Sequence, residues 1–338
     1  MKKLLIGTAL VSTVLFAGSS FAETIVSGSL ETTIGMTESK SSGVAANADP
    51  MSIGHETSID LSTSKKLTNG LTMTAGFGVE NGLTTDQYLS LTTTGGTMFA
   101  VGNDVDGVAD NVSQEDFTPH IAQPWHDAGL KSGSIAGVYS VHGNNGIYLK
   151  HTTPMFTVAG VYSPSTSNTD ATGASDNAAR GAATTVAVTN LASGYDLAIS
   201  GGFGVEGLKI GYGVSNAKAV KDSGTSDQEG RTYGAQYSMG GATVGYGKTI
   251  NTAAGSTVDK SITTYGVAYK VSDVLSVGVY EGKVDVDAIA SDEKYRSLQI
   301  GYDFGGLGMT LGYYTADSIG GVSGTDNEKI ELRTVTKF

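Results

Sequence analysis

Histidine and carboxylate side chains, the groups most able to hold a metal or move a proton, are concentrated in residues 104–145. Neither H-x-x-x-H nor H-E-x-x-H spacing occurs there, and two prolines argue against the helix that such zinc motifs need. No metal site is therefore predicted, although a structural Ca²⁺ held by carboxylate oxygens is left as an alternative. The densest group consists of Glu115, Asp116, His120, His126 and Asp127.

Other catalytic patterns are missing from the sequence. Serines are abundant, but none stands in a G-x-S-x-G nucleophile elbow. The glycine-rich runs have no Walker lysine and fall in segments that look like strands. The net charge of −12 provides no basic stripe for phosphates, which argues against a nucleic-acid partner. The sequence predicts neither an enzyme nor a resident cofactor.

The segments on either side of residues 104–145 alternate apolar and polar residues with a period of two, which indicates strands. In 71–79, for example, Leu71, Met73, Ala75, Phe77 and Val79 share one face, and threonines and glycines share the other. Each segment is about nine to eleven residues long, which is enough to cross a membrane when tilted. Links between segments alternate between short and long, as they do in outer-membrane barrels. Cysteine is absent, so the fold closes without disulfides.

The first 22 residues have the pattern of a secretory signal. Lys2 and Lys3 precede an apolar core, and Ser20-Phe21-Ala22 supplies the small residues before a cleavage site. The predicted organisation is a signal peptide at 1–22 followed by one barrel domain at 23–338. No later stretch has the ~18 uninterrupted apolar residues of a membrane helix.

Sixteen strands are predicted along the chain. A further candidate, 134–141, is excluded because an odd number would leave the two termini on opposite sides of the membrane. It is assigned instead to the long loop at 104–145. The predicted strands lie near 24–36, 51–64, 71–80, 86–93, 97–103, 146–153, 156–163, 195–203, 207–216, 231–239, 242–250, 262–271, 274–283, 294–304, 307–315 and 329–338.

The signal sequence, the alternating strands and the terminal Phe338 together resemble the Gram-negative general diffusion porins, of alphaproteobacterial type. The resemblance implies an all-β fold, a 16-stranded antiparallel transmembrane β-barrel with an inward-folded constriction loop after the fifth strand. It also implies passive diffusion of small hydrophilic solutes across the outer membrane and a homotrimer. The expected partners are outer-membrane lipid, lipopolysaccharide and the barrel assembly machinery, for which Phe338 is part of the signal.

The position of residues 104–145 after the fifth strand matches that constriction loop. Its acidic residues are predicted to line the channel, namely Asp104, Asp106, Asp110, Glu115 and Asp116. The alternative is a solvated outer loop whose carboxylates only face water. Basic residues predicted on the lumen face are Lys150, Lys209, Lys270, Arg333 and, near the rim, Lys337. Carboxylates predicted there are Glu31, Glu56, Asp60, Asp303 and Glu331, and their excess predicts a mild cation preference.

Two other functions stay open from the sequence alone. A channel selective for sugars, phosphate or dicarboxylates would need an aromatic ladder or a basic ring, and the loop contributes only Lys131 as a basic residue besides its histidines. A structural or adhesive surface β-protein without a pore would share the strand pattern but would admit no solute.

Overall fold

The computed structural model describes most of the chain after the predicted signal. Within this part, no helix is long and apolar enough to cross a membrane. The described residues are 23–41, 44–48, 51–81, 83–102, 105, 108–121, 138–139, 141, 145–164, 191–219, 226–287, 289 and 291–338.

Most of these residues are in strands of one antiparallel sheet. The first nine are β1 Glu23–Ser41, β2 Val44–Ala48, β3 Ser52–Lys66, β4 Thr72–Glu80, β5 Leu83–Thr92, β6 Thr97–Gly102, β7 Gly146–Thr152, β8 Phe156–Ser163 and β9 Leu191–Gly201. The others are β10 Leu208–Ala219, β11 Gln228–Met239, β12 Ala242–Thr252, β13 Asp259–Lys270, β14 Leu275–Val286, β15 Glu293–Asp303, β16 Leu307–Asp317 and β17 Asp326–Lys337.

The sheet closes on itself, because β1 pairs with β17 from Ser29↔Lys337 to Lys40↔Asp326. The short β2 pairs with β1 on the same edge as β3, beyond the point where β3 begins. Together β2 and β3 therefore occupy one position in the wall, and the closed barrel has sixteen strands. The predicted number and order of strands are confirmed.

Alternation along each strand gives the wall two different faces. In β15 the residues with odd numbers, such as Tyr295 and Gln299, are buried, whereas those with even numbers are exposed. Leu298 is 53% exposed and Ile300 44%, and equivalent apolar side chains are exposed on the neighbouring strands. A closed barrel with a continuous exposed apolar outer face matches the structure of a membrane-spanning barrel. The buried parity is the inner face.

The links sort by length onto the two ends of the barrel. At one end, the turns after β3, β5, β7, β9, β11, β13 and β15 are all short, for example 240–241 and 304–306. At the other end the links have six residues or more, except for those on either side of β2 and the two residues between β4 and β5. Several strands extend beyond their predicted bounds at this long-loop end. β10 continues to Ala219 and β17 begins at Asp326, because pairing with the neighbouring strands persists beyond the predicted bounds.

Residues 104–145 contain two of the chain's short helical turns. The 3₁₀ helices Asp110–Val112 and Glu115–Phe117 lie in this loop, and a third, Ile319–Gly321, follows β16. Val138, Tyr139 and Val141, the described part of the excluded candidate strand 134–141, are in no strand. The prediction from strand parity that this stretch lies outside the wall agrees with their structure.

Candidate functional site: the inner face and residues 108–121

Residues 108–121, hereafter the inner segment, lie flat against the inner face of the barrel. Val108 packs in a buried cluster with Ala100 of β6, Tyr148 of β7 and Val161 of β8. From there the segment crosses the inner face of β10 to β15, where it passes over glycines. A Cβ added at seven of these glycines would collide with the segment, namely Gly211, Gly213, Gly234, Gly245, Gly247, Gly266 and Gly301. One added at Gly278 would stand 3.1 Å from Ile121 Cγ1.

The close approach requires glycine because no room is left for a side chain. A Cβ at Gly247 would lie 2.5 Å from Cα and 2.7 Å from the carbonyl carbon of Gln114. One at Gly266 would lie 2.5 Å from the carbonyl oxygen of Pro119. At these positions the backbone of the segment rests directly on the backbone of the wall.

Hydroxyl and amide side chains of the wall bind the same segment. Thr232 Oγ1 donates to the carbonyl of Val112 at 2.7 Å, and Thr264 Oγ1 donates to that of Gln114 at 3.1 Å. At the far end, the backbone N–H of Ile121 donates to Gln299 Oε1 at 2.7 Å. Two further hydroxyl contacts join Thr118 to Thr264 at 2.6 Å and Thr249 to Gln114 Oε1. The segment is therefore fixed by hydrogen bonds as well as by shape.

Phe117 is the apolar anchor of the inner segment. Its ring is fully buried and fits over Gly211 and Gly234. The Lys209 ammonium lies 5.1 Å from the ring centroid and donates to the backbone carbonyl of Asp116 at 3.1 Å. A cation over an aromatic face is attracted by the ring quadrupole. Lys209 therefore binds the segment instead of standing free in the lumen.

The returning part of the loop is anchored nearer the long-loop end. The Tyr139 N–H donates to Asn251 Oδ1 at 2.9 Å, and the Tyr139 carbonyl accepts from Ser215. The Val141 N–H donates to the fully buried carboxylate of Asp196, at 3.1 and 3.0 Å from its two oxygens. Both limbs of the loop are thus held by the wall formed by β9–β15.

The predicted acidic residues lie in different environments. Asp104 and Asp106 fall outside the described residues, and Asp110 begins the first 3₁₀ helix. Asp116 Oδ2 accepts from the N–H and hydroxyl of Ser113 at 2.9 and 3.0 Å, which orders the segment itself. Glu115 is partly exposed and its Oε1 accepts from Gln114 Nε2 at 3.4 Å. Channel lining by these five residues stays a prediction, and His126 and Asp127 also lie outside the described part.

The predicted basic residues do not form one cluster. Lys150 is on the inner face of β7, distant in sequence and strand order from Arg333 on β17. Lys270 ends β13 at a short turn, where it pairs with the fully exposed Asp273 at 3.0 Å. Arg333 forms an ion pair with Glu31 of β1. Lys209 contacts the inner segment through a hydrogen bond to the carbonyl of Asp116.

His120 stands near the end of the described segment. Its Nδ1–H donates to the carbonyl of Thr118 at 2.8 Å. Burial lowers the pKa of His120; the hydrogen bond to Thr118 opposes this effect, and the positive charge of Arg333 adds to it. Arg333 on β17 is therefore close enough to the inner segment to act on it electrostatically.

The inner face that the segment leaves uncovered carries several carboxylates. Glu31 and Glu56 are direct neighbours across β1 and β3, and Asp60 lies four residues farther along β3. On β17, Glu331 is buried and pairs with Lys329 at 2.7 Å. The predicted lumen-facing parity of these residues agrees with their place in the strands.

Sequence reasoning missed the glycines and threonines that hold the inner segment. The sequence analysis places the glycine-rich runs in strands and gives them no contact, although pairs such as Gly211/Gly213 and Gly245/Gly247 repeat on the inner parity. That repetition is the signal that could have indicated a segment lying against β10 and β12.

Solved porin structures share this fold. The anion-selective porin from Comamonas acidovorans matches with 15% identity over 94% of this chain and all of that chain, with a TM-score of 0.66. Salmonella typhi OmpF in complex with daunomycin matches with 11% identity, 94% and 98% coverage, and a TM-score of 0.66. The trimer form of Vibrio cholerae OmpT matches with 13% identity, 94% and 99% coverage, and a TM-score of 0.60. At these identities the likeness establishes the fold alone.

The sequence itself matches a protein family. No curated protein sequence is significantly similar to the chain. The family model for Gram-negative porins, however, matches residues 8–318. This match covers far more than half of the chain, and the protein therefore belongs to the Gram-negative porin family.

Proposed function

We propose that the protein forms a water-filled channel for passive diffusion of small hydrophilic solutes and ions, narrowed by the inner segment. The observation that carries the proposal is the seating of residues 108–121 on the inner face of a closed sixteen-strand barrel. A barrel of this size encloses an aqueous lumen rather than a packed core. A segment fixed to one side of that lumen reduces its width.

A mild cation preference follows from the charges that remain available to the solute. Lys209 binds the inner segment, Lys270 pairs with Asp273 at the rim, and Arg333 pairs with Glu31. Glu56 and Asp60 are exposed carboxylates on the inner face of β3. Acidic side chains along a pore favour cations. The five loop carboxylates Asp104, Asp106, Asp110, Glu115 and Asp116 would add to this preference.

Purified protein in planar bilayers with a KCl gradient tests both statements. We expect stepwise conductance increases and a reversal potential of the sign given by K⁺ permeating faster than Cl⁻. Bilayers that stay electrically silent would overturn the channel. Conductance with a reversal potential of the opposite sign would overturn the ion preference but leave the channel in place.

A substrate-selective channel is the second candidate. The Comamonas structure is described as anion-selective, so this fold does not by itself determine the sign of the preferred ion. Phosphate or dicarboxylate selectivity would need several unpaired cations beside the inner segment, and Lys209 and Arg333 are both engaged. Saturation of the K⁺ current by phosphate, a dicarboxylate or a sugar at low millimolar concentration would favour this candidate.

We also propose a homotrimer. The trimer form of the Vibrio protein supports it, and so does a polar pair on the outer face. Thr32 Oγ1 and His55 Nδ1 are 3.0 Å apart there, among apolar neighbours such as Ile34 and Ile53. A histidine is better accommodated against protein than against lipid. Chemical cross-linking in mild detergent is expected to give a three-subunit band, and monomer alone would contradict it.

Export to the outer membrane completes the proposal, with cleavage after Ala22 and contacts with lipid and lipopolysaccharide. Phe338, proposed as part of the assembly signal, exchanges backbone hydrogen bonds of 2.9 and 3.0 Å with Gly28 across the closure seam. Its ring is 51% exposed on the outer face. N-terminal sequencing of the protein from outer-membrane fractions is expected to begin at Glu23. No catalytic activity is proposed.

A further inference from the structure

The strands that close the barrel also bring together two opposite charges on its inner face. Arg333 of β17 is aligned with Thr33 of β1, and Glu31 lies two residues from Thr33 on the same parity. Arg333 Nη2 and Glu31 Oε2 form a hydrogen-bonded ion pair. The side chains are 19% and 11% exposed, so bulk water screens them less than a surface pair.

Arg333 is distinctive among the cations of the lumen. Of the arginines in the described part of the chain, Arg231 and Arg296 lie on the outer face, which leaves Arg333 as the inner-face arginine. Two inner-face lysines, one at the inner segment and one at the seam, are engaged by other groups. Lys209 binds the carbonyl of Asp116, and Lys329 pairs with the buried Glu331.

Arg333 also lies in the wall near the end of the inner segment. His120 lies on the inner segment and Arg333 lies in the wall at the seam. The positive charge of Arg333 contributes to the lowered pKa of His120. The neighbouring register pairs agree with this position. Gly301, against which Ile121 packs, is aligned with Thr310 of β16, and Thr310 is aligned with Arg333.

Glu31 has a second carboxylate as its direct neighbour. Glu56 of β3 is aligned with it across the β1–β3 pair. If Arg333 stood without Glu31, a permanent cation would border the path beside the inner segment. With Glu31 present, the local sum of Glu31, Glu56 and Arg333 is one negative charge.

We propose that Glu31 is a specificity-determining residue, which neutralises Arg333 at the narrow part of the lumen and thereby lets cations pass in preference to anions. The inference rests on the proposed channel function and assigns its ion preference to one ion pair at the closure seam. Neutralising Glu31 alone should therefore be enough to change the preference for cations.

Reversal potentials in a KCl gradient test this with Glu31→Gln, Arg333→Gln and the double variant. We expect Glu31→Gln to lower the K⁺/Cl⁻ permeability ratio by about threefold or more, because the local sum of charge then rises from one negative charge to zero at close range to passing ions. Arg333→Gln is expected to raise the ratio, and the double variant to lie between the two single variants. Glu206→Gln, an exposed carboxylate in the short turn before β10, is the matched control and is expected to behave as wild type.

Charge-conserving variants separate a charge effect from a folding defect. Glu31→Asp and Arg333→Lys are expected to insert as channels and to keep a permeability ratio near that of wild type. Unchanged ratios for both glutamine variants, or shifts in the same direction, would overturn the inference. A loss of preference in Glu31→Asp as large as in Glu31→Gln would do the same.

Failure of the proposed function would look different. If wild-type protein preferred anions while the two glutamine variants still shifted in opposite directions, the proposed cation preference would fail and the role of the pair would stand. If wild type preferred cations and neither variant shifted, the inference about Glu31 alone would fail.

Discussion

Gly247→Ala is expected to lift the inner segment from the wall. The added Cβ would stand 2.5 Å from Gln114 Cα and 2.7 Å from its carbonyl carbon, whereas ordinary van der Waals contact begins at 3.4 Å. The opposing atoms belong to backbone, so a side-chain rotation cannot relieve the overlap. Since Gly247 belongs to a paired strand, the segment must move by about 0.9 Å or more toward the channel axis.

That movement acts on the hydrogen bonds around Gln114. Its carbonyl accepts from Thr264 at 3.1 Å and its side chain accepts from Thr249. A hydrogen bond of this kind contributes about 0.5–1.5 kcal/mol net, so loss of both costs about 1–3 kcal/mol. Gly308→Ala is the matched control, because Gly308 is on the inner face of β16 and its nearest neighbour, the Val335 carbonyl oxygen, is 3.8 Å from the added atom.

Single-channel conductance and the temperature at which the folded band disappears from SDS gels measure the two effects. We expect Gly247→Ala to lower both and Gly308→Ala to lower neither. If Gly247→Ala has the conductance and heat resistance of wild type, the inner segment does not rest on β12 as described. A raised conductance would contradict movement toward the axis.

Three other predictions concern the same contacts. Thr264→Val keeps the shape of a fully buried side chain but removes its hydrogen bonds to Gln114 and Thr118, so heat resistance should fall by the equivalent of about 1–3 kcal/mol. Thr263→Val, on the outer parity of β13, is the control. Equal losses of heat resistance in the two variants would refute the assignment of inner and outer faces. Because the pKa of His120 is lowered in the folded protein, the unfolded chain binds a proton at this imidazole more readily, and the stability that the neutral ring contributes is lost as the pH falls below the unfolded value near 6.5. The pH dependence of heat resistance between about 7 and 5 should therefore be weaker in His120→Gln than in wild type. An identical dependence would count against the burial of this ring. Gly28→Val would place side-chain atoms within about 3 Å of the Phe338 ring. It should reduce the fraction of protein that refolds into the closed barrel, measured as the heat-modifiable band on SDS gels. Refolding as complete as that of Gly308→Ala would contradict the role of this seam.

The barrel was predictable because lipid on one side and water on the other impose a period of two on every crossing strand. The requirement for an even number of strands excluded 134–141 from the wall, which the local pattern of that segment could not do. Val138, Tyr139 and Val141 are indeed in no strand. Strand ends were less predictable. The first residues of β17 are polar and the last of β10 are alanines around a lysine, so their pairing depends on the partner strand and leaves no strong apolar pattern.

The contacts of the inner segment were not predictable in the same way. Which wall residues meet Phe117 depends on the path of a loop across six strands, and this path is not encoded by a local period. Lys209 and Lys270 have the same predicted parity, yet one binds the inner segment and the other pairs with Asp273 at the rim. Height along the barrel separates them, and height depends on strand register, which alternation alone does not determine.

The central claim is a water-filled passage of limited width, and liposome swelling tests it most directly. Proteoliposomes diluted into isotonic solutions of neutral sugars of increasing size should swell at rates that fall steadily with solute size. Equal exclusion of every solute, including the smallest, would contradict the channel and favour a structural or adhesive surface protein.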